Sequence, residues 1–266
     1  MYGVYAWNAG ASSAQVLADL VRWITGGDVA GMSASCNKPA SSVAGSGAGD
    51  WSAIDSAFGV VHHAGIVTGP GVAARLSISG ASKVQMAVVA GWDVGTHAAS
   101  HATSALDVSL SLASAGSVNL LAVAGVLGVA SSDWSSWCLA AEVKRSGPAV
   151  AGAAAKSGAI LLTSSAQHFM ARVKTPGSSG ETAGAYVTVQ SAYGALSGAA
   201  ARDQSERLYL PMAPATVAYS QVPVEEVAGV QIVGGYALSG DAVVDEAAVT
   251  YLAYKAGGYT FAVAKV

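Results

Sequence analysis

The chain has 266 residues, of which 11% are charged, against roughly 25% in an ordinary soluble domain, and its net charge is -3. That balance supplies no basic field, so neither nucleic acid nor an anionic lipid surface is expected as a partner. Ala, Val, Gly and Ser dominate; such side chains bury little area each, which predicts stability drawn from backbone ladders and from contacts between subunits.

The opening stretch MYGVYAWNAG has no basic run followed by an apolar one and does not read as a secretory signal. A helix follows. Ser12 fits an N-cap with Gln15 reaching back to it, and Gly26-Gly27 fits the C-terminal stop. Val16, Leu17, Leu20, Val21 and Ile24 recur at helical spacing and form one apolar stripe, with Asp19 and Arg22 placed to pair beside it. A terminal helix in an otherwise β chain is free to reach outward. The stripe is therefore expected to be an assembly face covered by a neighbouring subunit.

From about residue 58 the signals are nearly all β. Val72, Ala74, Leu76 and Ile78 alternate with Ala73, Arg75, Ser77 and Ser79, the pattern of a half-buried strand. Further strands are predicted over 84–88, 106–112, 118–129, 138–144, 159–163, 169–173, 185–190, 231–238, 249–254 and 259–263. Residues 108–132 carry no charge over 25 positions, about the length of a membrane helix. The alternation through Leu106, Val108, Leu110 and Leu112, and the turn at Ala115-Gly116, predict a hairpin and no membrane insertion. Short strands parted by Gly/Ser/Pro turns imply a mainly β fold, an antiparallel sandwich or jelly-roll-like unit (or units) with one N-terminal amphipathic helix. The expected division is an arm and helix over 1–35, a first β unit over 36–147 and a second over 148–266. The Ala/Gly segment 146–158 marks the boundary; it reads equally as a long loop inside a single β domain.

Residues that suggest chemistry are few. His97 and His101 stand four apart, a spacing that shares a metal ion on a helix. Here they fall in an Ala/Ser/Thr-rich connection, and HAASH lacks the Glu that a metalloprotease places between its histidines. His62-His63 lie in a strand-like run where neighbours face opposite ways, and His168 reads as a histidine at the core edge. GSGAG at 45–49 precedes no helix, so it is not a nucleophile elbow. Glu225-Glu226 and Asp241, Asp245 and Glu246 match neither a glycosidase pair nor a calcium loop. Nucleotide-binding glycine motifs are absent from the sequence. Cys36 and Cys138 lack metal spacing and read as buried thiols in preference to a disulfide. No catalytic, cofactor or metal residue is assigned, no cofactor is expected, and catalysis is not expected. Among the tryptophans, Trp134 and Trp137 in SSDWSSW are placed as loop aromatics for a ligand or partner, with core packing as the alternative.

Several stretches carry a family resemblance. GWDVGTHAASHATS after a strand, GSVNLLAVAGVLGVASSDW followed by CLAAEVKRSGP (with Glu142 and Arg145), RLYLPMAP at 207–214 and the closing VQIVGGYALSG and GGYTFAVAKV together resemble structural proteins of tailed bacteriophages. The resemblance extends loosely over residues 84–266 and consists of β signatures. It implies a structural subunit of the phage virion, most expected in the tail or baseplate and made in the host cytoplasm. Its partners would be copies of itself and other virion proteins. A receptor- or carbohydrate-binding module at the tail tip, meeting a host surface glycan, and a capsid decoration protein are the alternatives.

Overall fold

A computed structural model describes residues 2–30, 51–63, 72–123, 125–145, 158–164, 167–172, 186–189, 201–202, 208–209, 212–219, 222–233, 238–244, 247–256 and 259–265. Strand β1 (Tyr2–Trp7) leads into helix α1 (Ser13–Ile24). A smaller sheet follows from β2 (Trp51–Asp55), β3 (Val60–His63), β4 (Val72–Ser79), β5 (Lys83–Asp93), β6 (Ala98–Ala102) and β7 (Leu106–Ser109). The chain then builds β8 (Gly116–Val123), β9 (Val126–Ser131), β10 (Trp137–Arg145), β11 (Gly158–Thr163), β12 (Gln167–Arg172) and β13 (Tyr186–Val189). After the short pair β14 (Ala201–Arg202) and β15 (Leu208–Tyr209) come β16 (Met212–Tyr219), β17 (Val222–Val233), β18 (Ala242–Val244), β19 (Thr250–Ala256) and β20 (Tyr259–Ala264). The larger sheet has 12 strands along the path β1-β8-β9-β10-β17-β20-β19-β18, with β11, β12, β13 and β16 branching from it. Every pairing among the described strands is antiparallel. The protein is mainly β, with one described helix near its start.

From residue 118 to 131 the charge-free stretch is explained by burial on both faces. Leu120, Val129, Cys138 and Ala140 pack toward the small sheet, while Leu121, Ala130, Leu139 and Ala141 pack into a second core with Tyr254, Phe261 and Val263. Strands covered on both sides have no polar alternation to show, which is why 118–129 reads as one continuous strand. The chain in fact reverses at Gly125 (φ 74), and β8 and β9 form a hairpin. Among the described residues no helix is long and apolar enough to cross a membrane.

The sheets do not follow the expected three-way division. β1 pairs with β8, and β10 pairs with both β11 and β17, so one sheet runs through all three segments. Segment 146–157 itself lies outside the described residues, as does Cys36. Asn119, 6% exposed, ties the first strand in: its Oδ1 accepts from Tyr2 Oη at 2.8 Å and its Nδ2 donates to the Ser131 carbonyl at 2.8 Å. Trp51 Nε1 donates to the Val123 carbonyl and links the small sheet to the large one.

α1 forms where the spacing predicts. Ser12 Oγ accepts the Gln15 N–H, and the N–H groups of Gly26 and Gly27 close back on Trp23 and Arg22. Two details differ. The Gln15 side chain donates to Asp19 instead of returning to Ser12, and Asp19 takes its second bond from Tyr5 Oη in place of an Arg22 pair. The expected assembly face is also corrected. Val16, Leu20, Val21 and Ile24 are at most 3% exposed, and Leu17 is partly buried against the same cluster. The stripe, with Trp23 beside it, joins the core that Leu76, Val84 and Met86 of the small sheet form with β8 and β9. The chain covers its own helix.

Candidate functional site

The outer face of the small sheet gathers chemistry-bearing side chains, and a single glycine makes this possible. Along β5, Val84, Met86, Val88 and Ala90 point into the core between the sheets. Strict alternation would send Trp92 there too. Gly91, at φ +60, turns the phase over, and Trp92 packs instead with Val60, Ala73 and Val89 on the opposite face. A Cβ at position 91 would stand 2.2 Å from Ser100 Oγ, so a larger residue would push that hydroxyl off the Ala90 carbonyl, in a backbone conformation that favours glycine.

Asp55, the last residue of β2, organises what Trp92 meets. The carboxylate is 7% exposed, and its Oδ2 accepts from His97 Nδ1 at 2.7 Å and from Trp92 Nε1 at 3.2 Å. The His97 bond is the main reason that the Asp55 pKa lies below the usual carboxylate value, against the opposing pull of desolvation. An ionised carboxylate can only accept, so Nδ1 carries a proton, and Nε2 is the ring atom left to hydrogen-bond elsewhere. His97 sits at φ +52, a left-handed conformation that costs energy unless neighbours hold it. Two neighbours do: Asp55 binds the ring edge, and the Phe58 ring stacks on its face with centroids 4.1 Å apart and planes 15° apart. Asp93 Oδ1 accepts the Gly95 and Thr96 N–H groups and fixes the turn beneath. Arg75 places its guanidinium carbon 5.5 Å from the Trp92 ring centre, and its Nε has no hydrogen-bond partner.

His97 therefore joins Asp55, not His101. His101 lies on β6, where a connection was expected, and its Nδ1 meets Ser100 Oγ at 3.2 Å. Among the described residues no three His, Cys, Asp or Glu side chains cluster as metal ligands would. A carboxylate-oriented imidazole is also the supporting half of a nucleophilic triad, but no described hydroxyl or thiol bonds to His97. What the arrangement offers is an imidazole, two aromatic rings and a guanidinium held in fixed relation at the surface. His63 is buried edge-on against Trp51, while His62 is half-buried near Ser52. The side chains of His168, Glu225, Glu226 and Arg145, together with residues 45–49, Asp245 and Glu246, lie outside the described residues. Asp241 accepts the Leu238 N–H in a turn.

The placement of Trp134 and Trp137 as paired loop aromatics is corrected. Trp137 opens β10, is fully buried, and donates Nε1 to the Lys255 carbonyl at 3.1 Å. Trp134 stands in the preceding turn, half-buried, edge-on to Tyr254. Gly240 (φ +90) lies under it so closely that a Cβ there would come within 2.8 Å of the indole. Both rings serve the second core.

A second surface lies at the edge of the large sheet. β1 pairs with β8 on one side, and among the described residues nothing pairs with its other side. An open cleft where β1 runs on toward α1 is lined by Tyr5 to Ala11 and by Asp19. No charged residue precedes Asp19, and β1 carries neither Lys nor Pro. Compared with known families, curated proteins and solved structures, the chain matches none.

Proposed function

We infer that this chain is a structural subunit of a phage virion, in the tail or baseplate, and acts by assembling with copies of itself and with other virion proteins. The observation that carries the reading is the edge of β1 that no described strand pairs. Sheet proteins ordinarily guard such an edge with Lys, Pro or a bulge, because unpaired N–H and C=O groups recruit another strand. Here the strand at the end of a 12-stranded sheet carries six uncharged residues, and its last three, Tyr5, Ala6 and Trp7, border an open cleft. Strand addition along that edge extends the sheet from one molecule to the next. The low charge of the chain supports the same reading, since close packing between copies then desolvates few ions. The sequence resemblance to tail proteins supplies the virion setting, and assembly in place of catalysis is part of the proposal.

Ala6 tests it, being the exposed residue of β1. The purified chain is expected to form oligomers by size-exclusion chromatography with light scattering. Ala6→Glu, which sets like charges along the joined edge, should shift it to monomer with an unchanged circular dichroism spectrum, and Ala6→Ser should not. A wild-type chain that stays monomeric at every concentration overturns the assembly reading. Oligomers that persist in Ala6→Glu move the contact away from β1. Purified phage particles that no antibody to this chain labels in electron micrographs overturn the virion setting.

A further inference from the structure

We propose that the platform of Asp55, Phe58, Arg75, Trp92 and His97 is a binding site for an acidic saccharide, through one sugar ring that bears a carboxylate. The inference stands apart from the assembly reading, since it concerns the other sheet and a different ligand.

The outer face of the small sheet is built more carefully than packing requires. Its buried part is small, with Val60, Ala73 and Val89 covered by Ile54, Trp92 and Ala99. Beside that patch stands Phe58, 37% exposed, one of the large apolar side chains that the fold leaves in water. Phe58 does not cover the patch by itself; it stacks on His97 and lies 6.4 Å from Trp92, centroid to centroid. A nearly buried carboxylate fixes both His97 and Trp92, and His97 is held in a conformation that its own backbone disfavours. Strain kept in place by several partners marks positions where geometry matters for binding.

The chemistry of the five groups selects the ligand. His97 lies on one face of the exposed Phe58 ring and the Arg75 guanidinium stands over Trp92, which leaves the second face of Phe58 for a flat C–H surface such as a pyranose presents. With Nδ1 turned to Asp55, His97 Nε2 is left to hydrogen-bond a sugar hydroxyl, which both donates and accepts. Arg75 makes no ion pair among the described residues and its guanidinium lies beside Trp92, so it is the cation left for an anion. A uronic or sialic acid offers the C–H face, the hydroxyl and the carboxylate on a single ring. A neutral sugar lacks the third, and an acidic peptide lacks the first.

Isothermal titration of the full chain with tri-galacturonate, sialyllactose and an alginate trisaccharide tests the assignment, with maltotriose and polyglutamate as controls. At least one acidic saccharide is expected to bind, and maltotriose and polyglutamate at least about tenfold more weakly, the scale of one charge-assisted hydrogen bond. Phe58→Ala, at an exposed position that should leave the fold intact by circular dichroism, should weaken the acidic saccharide by a similar factor. Arg75→Gln should abolish the preference for acidic over neutral sugar. Failure of all three acidic saccharides to bind overturns the site. So does binding that is unchanged in both variants, and polyglutamate bound as well as the sugar reduces it to a cationic spot.

Discussion

Asp133 shows how a single side chain in this protein does the work of a turn. Its Oδ1 accepts from Ser131 Oγ at 2.6 Å, from the Ser135 N–H at 3.0 Å and from Ser135 Oγ at 2.8 Å. These bonds, the Ser131 one foremost, hold its pKa down to about 2 from an ordinary value of 3.8. A carboxyl whose pKa is lower in the folded state adds stability above its unfolded pKa and loses it as pH falls through the folded one. In Asp133→Asn that contribution is gone at every pH. The variant should therefore melt below wild type at pH 6, and the gap should close between pH 3.8 and about 2. The difference should be small, because Asp133 is exposed and its bonds compete with water. Melting curves across that range check it, and a gap constant with pH would show that the carboxylate charge is not involved. The segment SSDWSSW was legible as a loop, though not the bonds Asp133 makes in it. The tie between Asp55 and His97 was not, because 42 residues separate the partners and nothing local marks either one. Trp92 was hidden for a different reason: the reversal at Gly91 breaks the period of two on which strand reading depends.

At the scale of elements, α1 was legible down to its caps, since the period of its apolar residues and the signals at Ser12 and Gly26-Gly27 are all local. What covers the stripe is not local information, and there the expectation failed. Leu20 is fully buried within the chain's own core, against the small sheet and Trp23. Leu20→Ala should cost about 2–5 kcal/mol, with each kcal/mol worth roughly 2–4 °C of melting temperature in a chain of this size. The oligomer should keep its size below that lower melt. Loss of the oligomer with an unchanged melting temperature would return the helix to a neighbour. β1 escaped notice because Tyr-Gly-Val-Tyr-Ala-Trp is apolar or small at every position and shows no alternation. β6 escaped for the opposite reason, being exposed along nearly its whole length, so that burial imprints no pattern on it.

For the whole molecule, the mainly β class was readable from the many short runs and turns, but the number of units was not. Strand pairing between distant segments decides that number. Because β10 is hydrogen-bonded to β9, β11 and β17, no cut at 147–148 leaves two complete sheets. Thermal unfolding by calorimetry should therefore show one cooperative transition, and two resolved transitions would restore the two-unit division. The pairing of β1 with β8 has a further consequence, for how the protein is made. Tyr2 lies opposite Leu121 and Trp7 opposite Gly116, so β1 leaves the ribosome more than a hundred residues ahead of its partner. Contacts so far apart in sequence close late and fold slowly. During that interval an apolar, uncharged strand stays unpaired, and two nascent chains on neighbouring ribosomes can find each other before either finds its own β8. The same edge that suits the finished protein for joining its copies exposes the unfinished one to joining them too soon.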